Sequence, residues 1–343
     1  AILVDKVRRE SRKNNGSRRN SMKRLISIGE ALIDFVPHQI GCELKEVKDF
    51  KGVVGGAPAN VGGAYIKLGG PAAMVTQLGN DAFGDRIVDE FVGHGIDVSH
   101  VLRTDEANTC LAFVSLKEDG NRDFSFYRKP SADMLMSADV VEKAWFEDAY
   151  ALHFCSLCLG DFPMKEAHRK AITYALECGD MISFDPNIRL PLWKDYNELR
   201  KAILEFIPYA HVLKISDEEL EFITGKTKVE DAKDLLFQGN VQLVIYTKGS
   251  DGAEAYTKTA SAEAPSRKVK AIDTTGAGDA FIGSFLYQLS ADGVTVDTLK
   301  DLAAEQLERY LLFSNRYCEY SVLGNGAIAS YATAAQFEEY LKK

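Results

Sequence analysis

One segment of the sequence combines a glycine-rich turn with a carboxylate. It reads DTTGAGDAF over 273–281. It follows a strand-like stretch over 268–272 and precedes an expected apolar helix over 280–289. Small residues at a helix N-terminus let backbone N–H groups approach an anion, and the helix dipole favours the negative charge. Asp279, in the first turn, can accept a proton from a hydroxyl. Phosphoryl transfer to an alcohol requires such an anion cradle beside a carboxylate base. Taken alone, the segment is equally compatible with an ordinary glycine-rich turn.

A second glycine-rich stretch has the chemistry to hold a hydroxylated ligand. Residues 55–62 read GGAPANVG, and Gly55 and Gly56 allow such a ligand to lie against the main chain. Asn60, at the start of the following helix, can both donate and accept hydrogen bonds. Asp34, which follows the first expected strand, is a carboxylate that can hold two sugar hydroxyls. The alternatives are a helix-terminal Asn and a turn Asp.

Together the two motifs resemble the signatures of the ribokinase-like (PfkB) family of sugar kinases. DTTGAGDAF is similar to the second signature, and GGAPANVG, running on to LGNDAFGDR over 78–86, is similar to the first. The resemblance extends from about residue 22 to the end of the chain. It implies that Asp279 is the catalytic base and that Gly276, Ala277 and Gly278 form an anion hole for the transferring phosphate. The sugar-binding positions that it implies are Asp34, Gly55, Gly56 and Asn60.

The nucleotide side is marked by TKGSDG over 247–252, which follows an expected strand and resembles the ATP loop of the family. Its hydroxyl and backbone N–H groups can contact phosphate, although spacing alone favours a β-turn. The nucleotide-binding residues that the resemblance implies are Lys214, Ser216, Thr247, Gly249, Gly252 and Asn315.

Two cation sites are also implied by the resemblance. The magnesium motif of the family, Asn-x-x-Glu, is matched by SDEE over 216–219, where Glu219 is the glutamate and Ser216 replaces the asparagine. A carboxylate that holds Mg²⁺ through water suits an ion that keeps most of its hydration shell, and the alternative is a solvated acidic helix start. The positions that correspond to a monovalent cation (K⁺) site are Asp273, Thr275, Ser321, Gly324 and Gly326.

Four segments resemble the fructokinases within this family: GEALIDFVP (29–37), GGAPANVG, FYRKPSADMLM (126–136) and DPNIR (185–189). We therefore expect ATP-dependent phosphorylation of D-fructose to fructose 6-phosphate, with Phe126, Arg128 and Arg189 near the sugar. One alternative is a 2-keto-3-deoxygluconate kinase, because such enzymes hold a carboxylate with arginines in similar motifs. Asp133 would repel that carboxylate if it faces the site. A second alternative is a sugar-sensing protein without catalysis, although the intact Asp279 argues against it.

The elements that position these motifs follow from the apolar pattern. The expected strands lie at 25–29, 73–78, 151–155, 181–184, 212–215 and 243–247, and the expected helices at 58–68, 81–94, 164–177, 217–224 and 229–237. This alternation predicts an α/β protein with a mainly parallel sheet covered on both faces, in which ligands bind beyond the carboxyl ends of the strands. The resemblance implies the three-layer α/β/α ribokinase-like fold. Two insertions, at about 35–51 and 109–128, predict a small β-sheet lid, the second being a hairpin with an Asp119-Gly120 turn.

Composition limits the other possible functions. The chain of 343 residues is 46% hydrophobic and 27% charged, which excludes a disordered protein and fits one large or two smaller domains. Residues 1–24 hold nine Lys/Arg and two Asp/Glu, whereas the rest of the chain holds 32 and 48. An acidic body binds nucleic acid poorly, and no apolar run is long enough for a membrane span. We expect residues 1–21 to be a leader or tag-like segment apart from a kinase domain over 22–343, with a basic arm or a targeting peptide as the alternative.

The six cysteines are scattered along the chain. Cys155 and Cys158 form one CxxC, but no second pair or flanking histidine stands at zinc-ligand spacing. We therefore expect free thiols in a reducing, cytoplasmic compartment. Apolar side chains of the expected lid hairpin, Leu111, Phe113, Phe124 and Phe126, predict that two copies pair through the lid as a homodimer.

Overall fold

Short apolar runs pair into a central nine-stranded sheet. The structure is a computed structural model that describes residues 22–116 and 122–342. Within those residues the strands are β1 (Arg24–Ile28), β2 (Leu32–Pro37), β3 (Phe50–Gly55), β4 (Ala72–Gly79), β5 (Asp97–Thr104), β6 (Cys110–Leu116), β7 (Arg122–Tyr127), β8 (Ala149–Cys155), β9 (Met181–Asp185), β10 (Val212–Ser216), β11 (Leu243–Thr247), β12 (Ala253–Tyr256) and β13 (Ser261–Ala264). The strand order is β13-β12-β11-β10-β9-β8-β1-β4-β5. Neighbours are parallel from β11 to β5, and β12 and β13 extend the sheet as antiparallel strands.

Helices cover both faces of this sheet. In the described residues they are α1 (Ala57–Lys67), α2 (Ala82–His94), α3 (Pro163–Cys178), α4 (Tyr196–Phe206), α5 (Asp217–Thr224), α6 (Val229–Leu236), α7 (Ala277–Ala291), α8 (Val296–Leu299), α9 (Ala304–Ser321) and α10 (Ala334–Tyr340). Side chains of α3 to α6 pack with Ile26 and Ile28 of β1, whereas α1, α7 and α9 pack with Leu25. Because successive strand residues face opposite sides, a strand buried on both faces is apolar throughout. The predicted three-layer fold class is confirmed.

Four further strands form a small separate sheet in the order β3-β2-β6-β7. Asp34, at the centre of β2, is paired with Ala112 of the parallel strand β6 and with Val53 of the antiparallel strand β3. The predicted lid sheet is therefore present, and β6 and β7 form the predicted antiparallel hairpin. The predicted Asp119-Gly120 turn, like residues 1–21, lies outside the described residues.

The two faces of the lid sheet differ in their surroundings. Phe126 lines a cavity beneath the lid, whereas Phe113 belongs to the opposite face, where its ring stacks on Phe35 at a centroid distance of 4.7 Å. Leu111 alternates with Ala112 along β6 and so shares the face of Phe113. The apolar side chains predicted to pair two copies therefore do not share one face, and the side chain of Phe124 lies outside the described part. The homodimer stays a prediction.

The predicted strand over 268–272 is wrong. These residues pair with no strand; instead, the Ile272 N–H donates to the carbonyl of Val322 at 2.7 Å. Val269 and Ala271 line a cavity at the carboxyl ends of the sheet. Their apolar alternation therefore reflects a cavity wall rather than a sheet face. Three strands, β5, β12 and β13, were not predicted from the sequence.

Two expectations about the whole chain can be compared with the described residues. None of their helices is both long and apolar enough to span a membrane. All six cysteines are free, as predicted, and Cys155 and Cys158 are both buried. The boundary between a leader and a kinase domain stays a prediction.

Candidate active site

Two cavities meet at the N-terminus of α7. The sheet-end cavity, of about 590 Å³, is lined by the carboxyl ends of β9, β10 and β11, and the lid cavity, of about 520 Å³, lies under β2, β3 and β7. Five residues line both cavities: Asn187, Arg189, Thr274, Gly276 and Asp279. A group bound in one cavity can therefore reach a group bound in the other across this shared wall.

Asp279 is the buried carboxylate of the shared wall. Its side chain lies in the first turn of α7, and the residue is only 6% exposed. Asn60 of α1 donates to its Oδ2 at 2.9 Å, and Asn187 donates to its Oδ1 at 3.1 Å. Burial raises the pKa of Asp279 from 3.8 to about 6, although the hydrogen bond from Asn60 acts in the opposite direction. The group is therefore a stronger base than an ordinary aspartate.

The turn before α7 requires glycine. Gly276 has φ +73°, and a Cβ there would lie 2.5 Å from the hydroxyl oxygen of Tyr331. That hydroxyl donates to the Gly276 carbonyl at 2.7 Å, which fixes the turn. The Ala277 N–H donates to the Thr274 carbonyl at 3.2 Å. Gly278 also lines the sheet-end cavity, and N–H groups in the first turn of a helix have no acceptor within the helix.

The structure brings the predicted sugar-binding residues of β2, β3 and α1 together in the lid cavity. Asp34, Gly55, Gly56, Asn60 and Phe126 all line it. Gly55 faces the Asp34 carboxylate so closely that a Cβ there would overlap Oδ2. The Oδ1 atom of Asn60 is buried without a hydrogen-bond partner among the described residues. It is an acceptor available to a ligand.

The structure places the two predicted arginines differently. Arg189 is exposed and lines both cavities. Its guanidinium donates to the carbonyl of the preceding residue, Ile188, at 3.1 Å. Arg128 lines neither cavity, because its guanidinium forms a buried ion pair of 2.6 Å with Asp133. The predicted place of Arg128 near the sugar stays a prediction. A carboxylate binds a guanidinium more strongly than a neutral hydroxyl does.

Arg128 instead interacts with residues that line the lid cavity. It donates to the Leu157 carbonyl at 3.4 Å and acts electrostatically on Glu30, and both of these residues line that cavity. Burial raises the pKa of Glu30 to about 7, although Arg128 opposes the shift. The Oε1 atom of Glu30 accepts the Ala57 N–H at 3.1 Å, so this carboxyl group also holds the start of α1.

All predicted nucleotide-binding residues line the sheet-end cavity: Lys214, Ser216, Thr247, Gly249, Gly252 and Asn315. The Lys214 ammonium forms a buried ion pair with Asp185 at 2.7 Å. Burial alone would lower the pKa of Lys214, but the neighbouring carboxylates outweigh it and hold the pKa above its ordinary range. A Cβ placed on Gly278 would lie 3.5 Å from Lys214 Nζ, so this cation stands beside the first turn of α7.

Glu219 combines a place on the cavity wall with a structural role. Its Oε2 accepts the Ser216 N–H at 2.8 Å, and Ser216 Oγ in turn accepts the Glu219 N–H at 3.3 Å, which forms the capping box of α5. Its Oε1 accepts the Ile188 N–H at 2.8 Å. Within the described ranges no three His, Cys, Asp or Glu residues cluster as a metal cage. Mg²⁺ held chiefly by phosphates and water needs no such cage.

The positions implied for a monovalent cation are partly joined by hydrogen bonds. Asp273 Oδ1 accepts the N–H and the hydroxyl of Thr275 at 2.9 and 2.7 Å, and its Oδ2 accepts the Gly326 N–H at 3.0 Å. Ser321 instead donates to the Cys318 carbonyl, and Gly324 packs against Ser330. Whether a cation binds here stays a prediction.

Three residues of the site, Asn187, Asp185 and Glu30, were not predicted from the sequence. Asp185 is the last residue of β9 and Asn187 follows it in DPN. Polar residues at the carboxyl end of a buried strand indicate a ligand site. Glu30 lies just after β1 and could have been found in the same way. The sequence therefore places polar residues at the carboxyl ends of β1 and β9. The conformation of the loops that follow decides which of these side chains line the cavities.

Comparisons with known proteins agree with this geometry. Residues 22–334 match the sequence profile described as pfkB family carbohydrate kinase. The chain is 39% identical over 319 residues to "Probable fructokinase-2" of Arabidopsis thaliana, which covers 93% of this chain and 95% of that protein. It superimposes on the fructokinase with bound ATP from Xylella fastidiosa with a TM-score of 0.86, 33% identity and coverage of 94% and 98% of the two chains. For the fructokinase from Vibrio cholerae O395 with fructose, ADP and calcium ion, the TM-score is 0.80, the identity 31%, and the coverage 94% and 99%.

Proposed function

The chain belongs to the pfkB family of carbohydrate kinases and is an ATP-dependent sugar kinase, and we propose that it transfers the γ-phosphoryl group of ATP to D-fructose, forming fructose 6-phosphate. The observation that carries this proposal is the position of Asp279, a buried carboxylate on the wall between two cavities with an amide donor on each oxygen. A related fructokinase structure that holds fructose and ADP supports the choice of sugar.

The lid cavity would hold the sugar. Asp34 accepts hydrogen bonds from two neighbouring hydroxyls, and Gly55 leaves the space that a ligand needs beside that carboxylate. Asn60 accepts a third hydroxyl through the buried Oδ1 that lacks a partner in the described chain, while its amide nitrogen holds Asp279. The ring of Phe126 covers the apolar face of the sugar. The reacting hydroxyl then lies against Asp279.

Asp279 would act as the general base. As the hydroxyl oxygen attacks the γ-phosphorus, its proton passes to Asp279, and the bond from phosphorus to the leaving ADP oxygen breaks. A pKa of about 6 strengthens the base yet leaves it mostly ionised at pH 7. The residues at 276–278 would form the anion hole, where the Gly278 N–H and the helix dipole stabilise the developing charge. The Ala277 N–H also donates to the Thr274 carbonyl and would be shared with the phosphate.

The sheet-end cavity would hold MgATP. Lys214 supplies a cation beside the first turn of α7, and Thr247, Gly249 and Gly252 surround the remaining phosphates. The acidic wall at Glu219 fits Mg²⁺, because a carboxylate oxygen that accepts one N–H retains a lone pair for a magnesium-bound water. The bound ion neutralises phosphate charge and orients the γ-phosphoryl group.

The charges around the lid cavity favour fructose over 2-keto-3-deoxygluconate. Of the two arginines expected near the sugar, only Arg189 lines the cavity, because Asp133 neutralises Arg128. Glu30 and Asp34 add carboxylates to the wall. The wall also holds Glu90, Asp273 and Asp279, whereas its lysine and arginine side chains are Lys51, Arg86 and Arg189. Even with Glu30 partly protonated, acidic side chains therefore outnumber basic ones, and they would repel a carboxylate substrate but not a neutral sugar.

Substrate panels test the proposal directly. ADP release with MgATP should be measured with fructose, 2-keto-3-deoxygluconate, ribose and adenosine, each at the same concentration. Turnover with fructose alone supports the proposal. A response to the keto-deoxy acid alone keeps the chemistry but reassigns the sugar, with Arg189 as its carboxylate ligand. Absence of turnover with all four, while fructose binds by calorimetry, would favour a sugar sensor.

A further inference from the structure

The last residue of β9 and the loop that follows it connect both cavities through one chain of hydrogen bonds. Asp185 accepts the Lys214 ammonium at its Oδ2, at 2.7 Å, and the Asn187 N–H at its Oδ1, at 3.1 Å. Asn187 then donates its side-chain amide to Asp279 Oδ1. Glu219 holds the next residue by accepting the Ile188 N–H. The loop is thereby attached to the lysine on one side of the shared wall and to the base on the other.

The backbone of Asn187 adopts a conformation that side chains other than glycine rarely adopt. With φ +46°, it is the one non-glycine residue of positive φ in ranges 22–116 and 122–342. Asparagine tolerates this region better than most residues, but at a cost relative to extended or helical backbone. Strained backbone of this kind persists where the surrounding structure holds it, and it is concentrated at functional sites. Here the conformation aims the amide at Asp279.

We propose that Asn187 is a positioning residue for the general base, holding Asp279 Oδ1 so that the carboxylate presents its remaining lone pairs to the sugar hydroxyl. This inference rests on the proposed role of Asp279 in phosphoryl transfer. Asn60 already holds Oδ2, so a single donor would leave the carboxylate free to rotate about its bond to Cβ. Two donors from different elements, α1 and the loop after β9, fix its plane.

Loss of the Asn187 amide should change turnover more than binding. A base displaced by a fraction of an ångström loses alignment with the reacting hydroxyl. A lost donor also raises the pKa of the carboxylate, because hydrogen bonds to the charged form stabilise it. The other charged groups that act on Asp279 are Asp185, Arg189 and Lys214, and none of them is removed by a change at Asn187.

The experiment compares Asn187→Gly with Asn187→Ala. Glycine keeps the positive φ and the N–H bonded to Asp185 but removes the side-chain amide, whereas alanine removes the amide and adds backbone strain. We expect kcat for Asn187→Gly to fall by about tenfold to a hundredfold, with both KM values changed by less than about threefold. The acid limb of kcat/KM should move up by roughly one pH unit. Asn187→Gly with near wild-type kcat and pH profile would overturn the inference, because the backbone alone would then explain any loss in Asn187→Ala.

A double-mutant cycle separates action through Asp279 from a general effect on the loop. In the Asp279→Asn background, Asn187→Gly should reduce the residual turnover by less than about threefold, because the base is already lost. An unchanged loss in that background would refute the inference. Asn187→Asp is tested in case the glycine and alanine variants do not fold. Aspartate tolerates the same φ and has the same shape as asparagine. It should raise the acid limb further through like-charge repulsion, and an unshifted limb would also count against the inference.

Failure of this inference can be distinguished from failure of the proposed function. Every ratio is taken against wild-type protein with the best sugar of the panel. If the wild type phosphorylates ribose rather than fructose, the sugar assignment fails while the Asn187 ratios keep their meaning. If Asp279→Asn itself retains wild-type turnover, the role of Asp279 fails, and the inference about Asn187 fails with it.

Discussion

Replacing Asp279 by asparagine should lower kcat strongly without lowering the free energy of unfolding. The substitution preserves shape but removes the proton acceptor, so kcat should fall by roughly 10²- to 10⁴-fold. That loss corresponds to about 3–5 kcal/mol of transition-state stabilisation. Fructose affinity should change little, because Asp34 and Asn60 hold the sugar.

The same substitution should not destabilise the folded protein at pH 7. Because burial raises the pKa of Asp279 from 3.8 to about 6, its ionisation opposes folding at pH 7 by about 3 kcal/mol. The asparagine removes this cost. Its own NH₂ group, however, faces one of the two amide donors, Asn60 or Asn187, and that mismatch costs about 1–3 kcal/mol. The free energy of unfolding at pH 7 should therefore stay equal or rise slightly.

The assays are ADP release and urea unfolding at two pH values. The ionisation cost is present above a pH of about 6 and disappears below about 4, where the carboxyl is protonated in both folded and unfolded protein. Any stability advantage of the Asp279→Asn variant should therefore shrink between pH 7 and pH 4. Turnover within about tenfold of wild type would refute the role of base. A variant destabilised by several kcal/mol would refute the balance of burial and hydrogen bonding described above.

Three further predictions concern the charges of the site. kcat/KM for fructose should be level above about pH 7 and fall roughly tenfold per unit below about pH 6, because the ionised form of Asp279 is the active one; an acid limb near pH 4 would contradict the raised pKa. Lys214→Met should raise the KM for ATP and, by leaving Asp185 buried and unpaired, lower the free energy of unfolding by about 3–5 kcal/mol; titration calorimetry and urea unfolding measure the two effects. Arg128→Met should destabilise by a similar amount through the uncompensated carboxylate of Asp133 while ATP affinity stays within about threefold; a variant as stable as wild type would contradict the argument that Asp133 is left buried and uncompensated.

Local sequence patterns were enough to predict the class of fold. Strands such as β11 and helices such as α5 have the predicted bounds. A strand buried on both faces is an apolar run, and α5 is capped by Ser216 and ends before Gly225. The stretch 268–272 (KVKAI) alternates as a strand would, but its Val269 and Ala271 line a cavity instead. An apolar residue indicates a buried position, but it does not show whether the residue packs in a sheet or lines a ligand cavity.

The positions of Arg128 and Arg189 also could not be predicted from the sequence motifs. Arg128 and Arg189 stand in equally suggestive motifs, yet one is buried against Asp133 and the other is exposed on the shared wall. The difference arises from the direction of the loops after β7 and β9. A motif gives the charge of a side chain, and its neighbours decide whether that charge is available to a ligand.

The sequence by itself determined the chemistry available at the N-terminus of α7: a glycine turn, small residues that permit an anion to approach, and a carboxylate one turn away. Only the tertiary structure decided what this carboxylate can do. Asn60 lies 219 positions before Asp279 and Asn187 lies 92 positions before it, yet both amides reach it. Basicity and orientation depend on burial and on those two donors, and these are properties of packing between distant segments that no local pattern encodes.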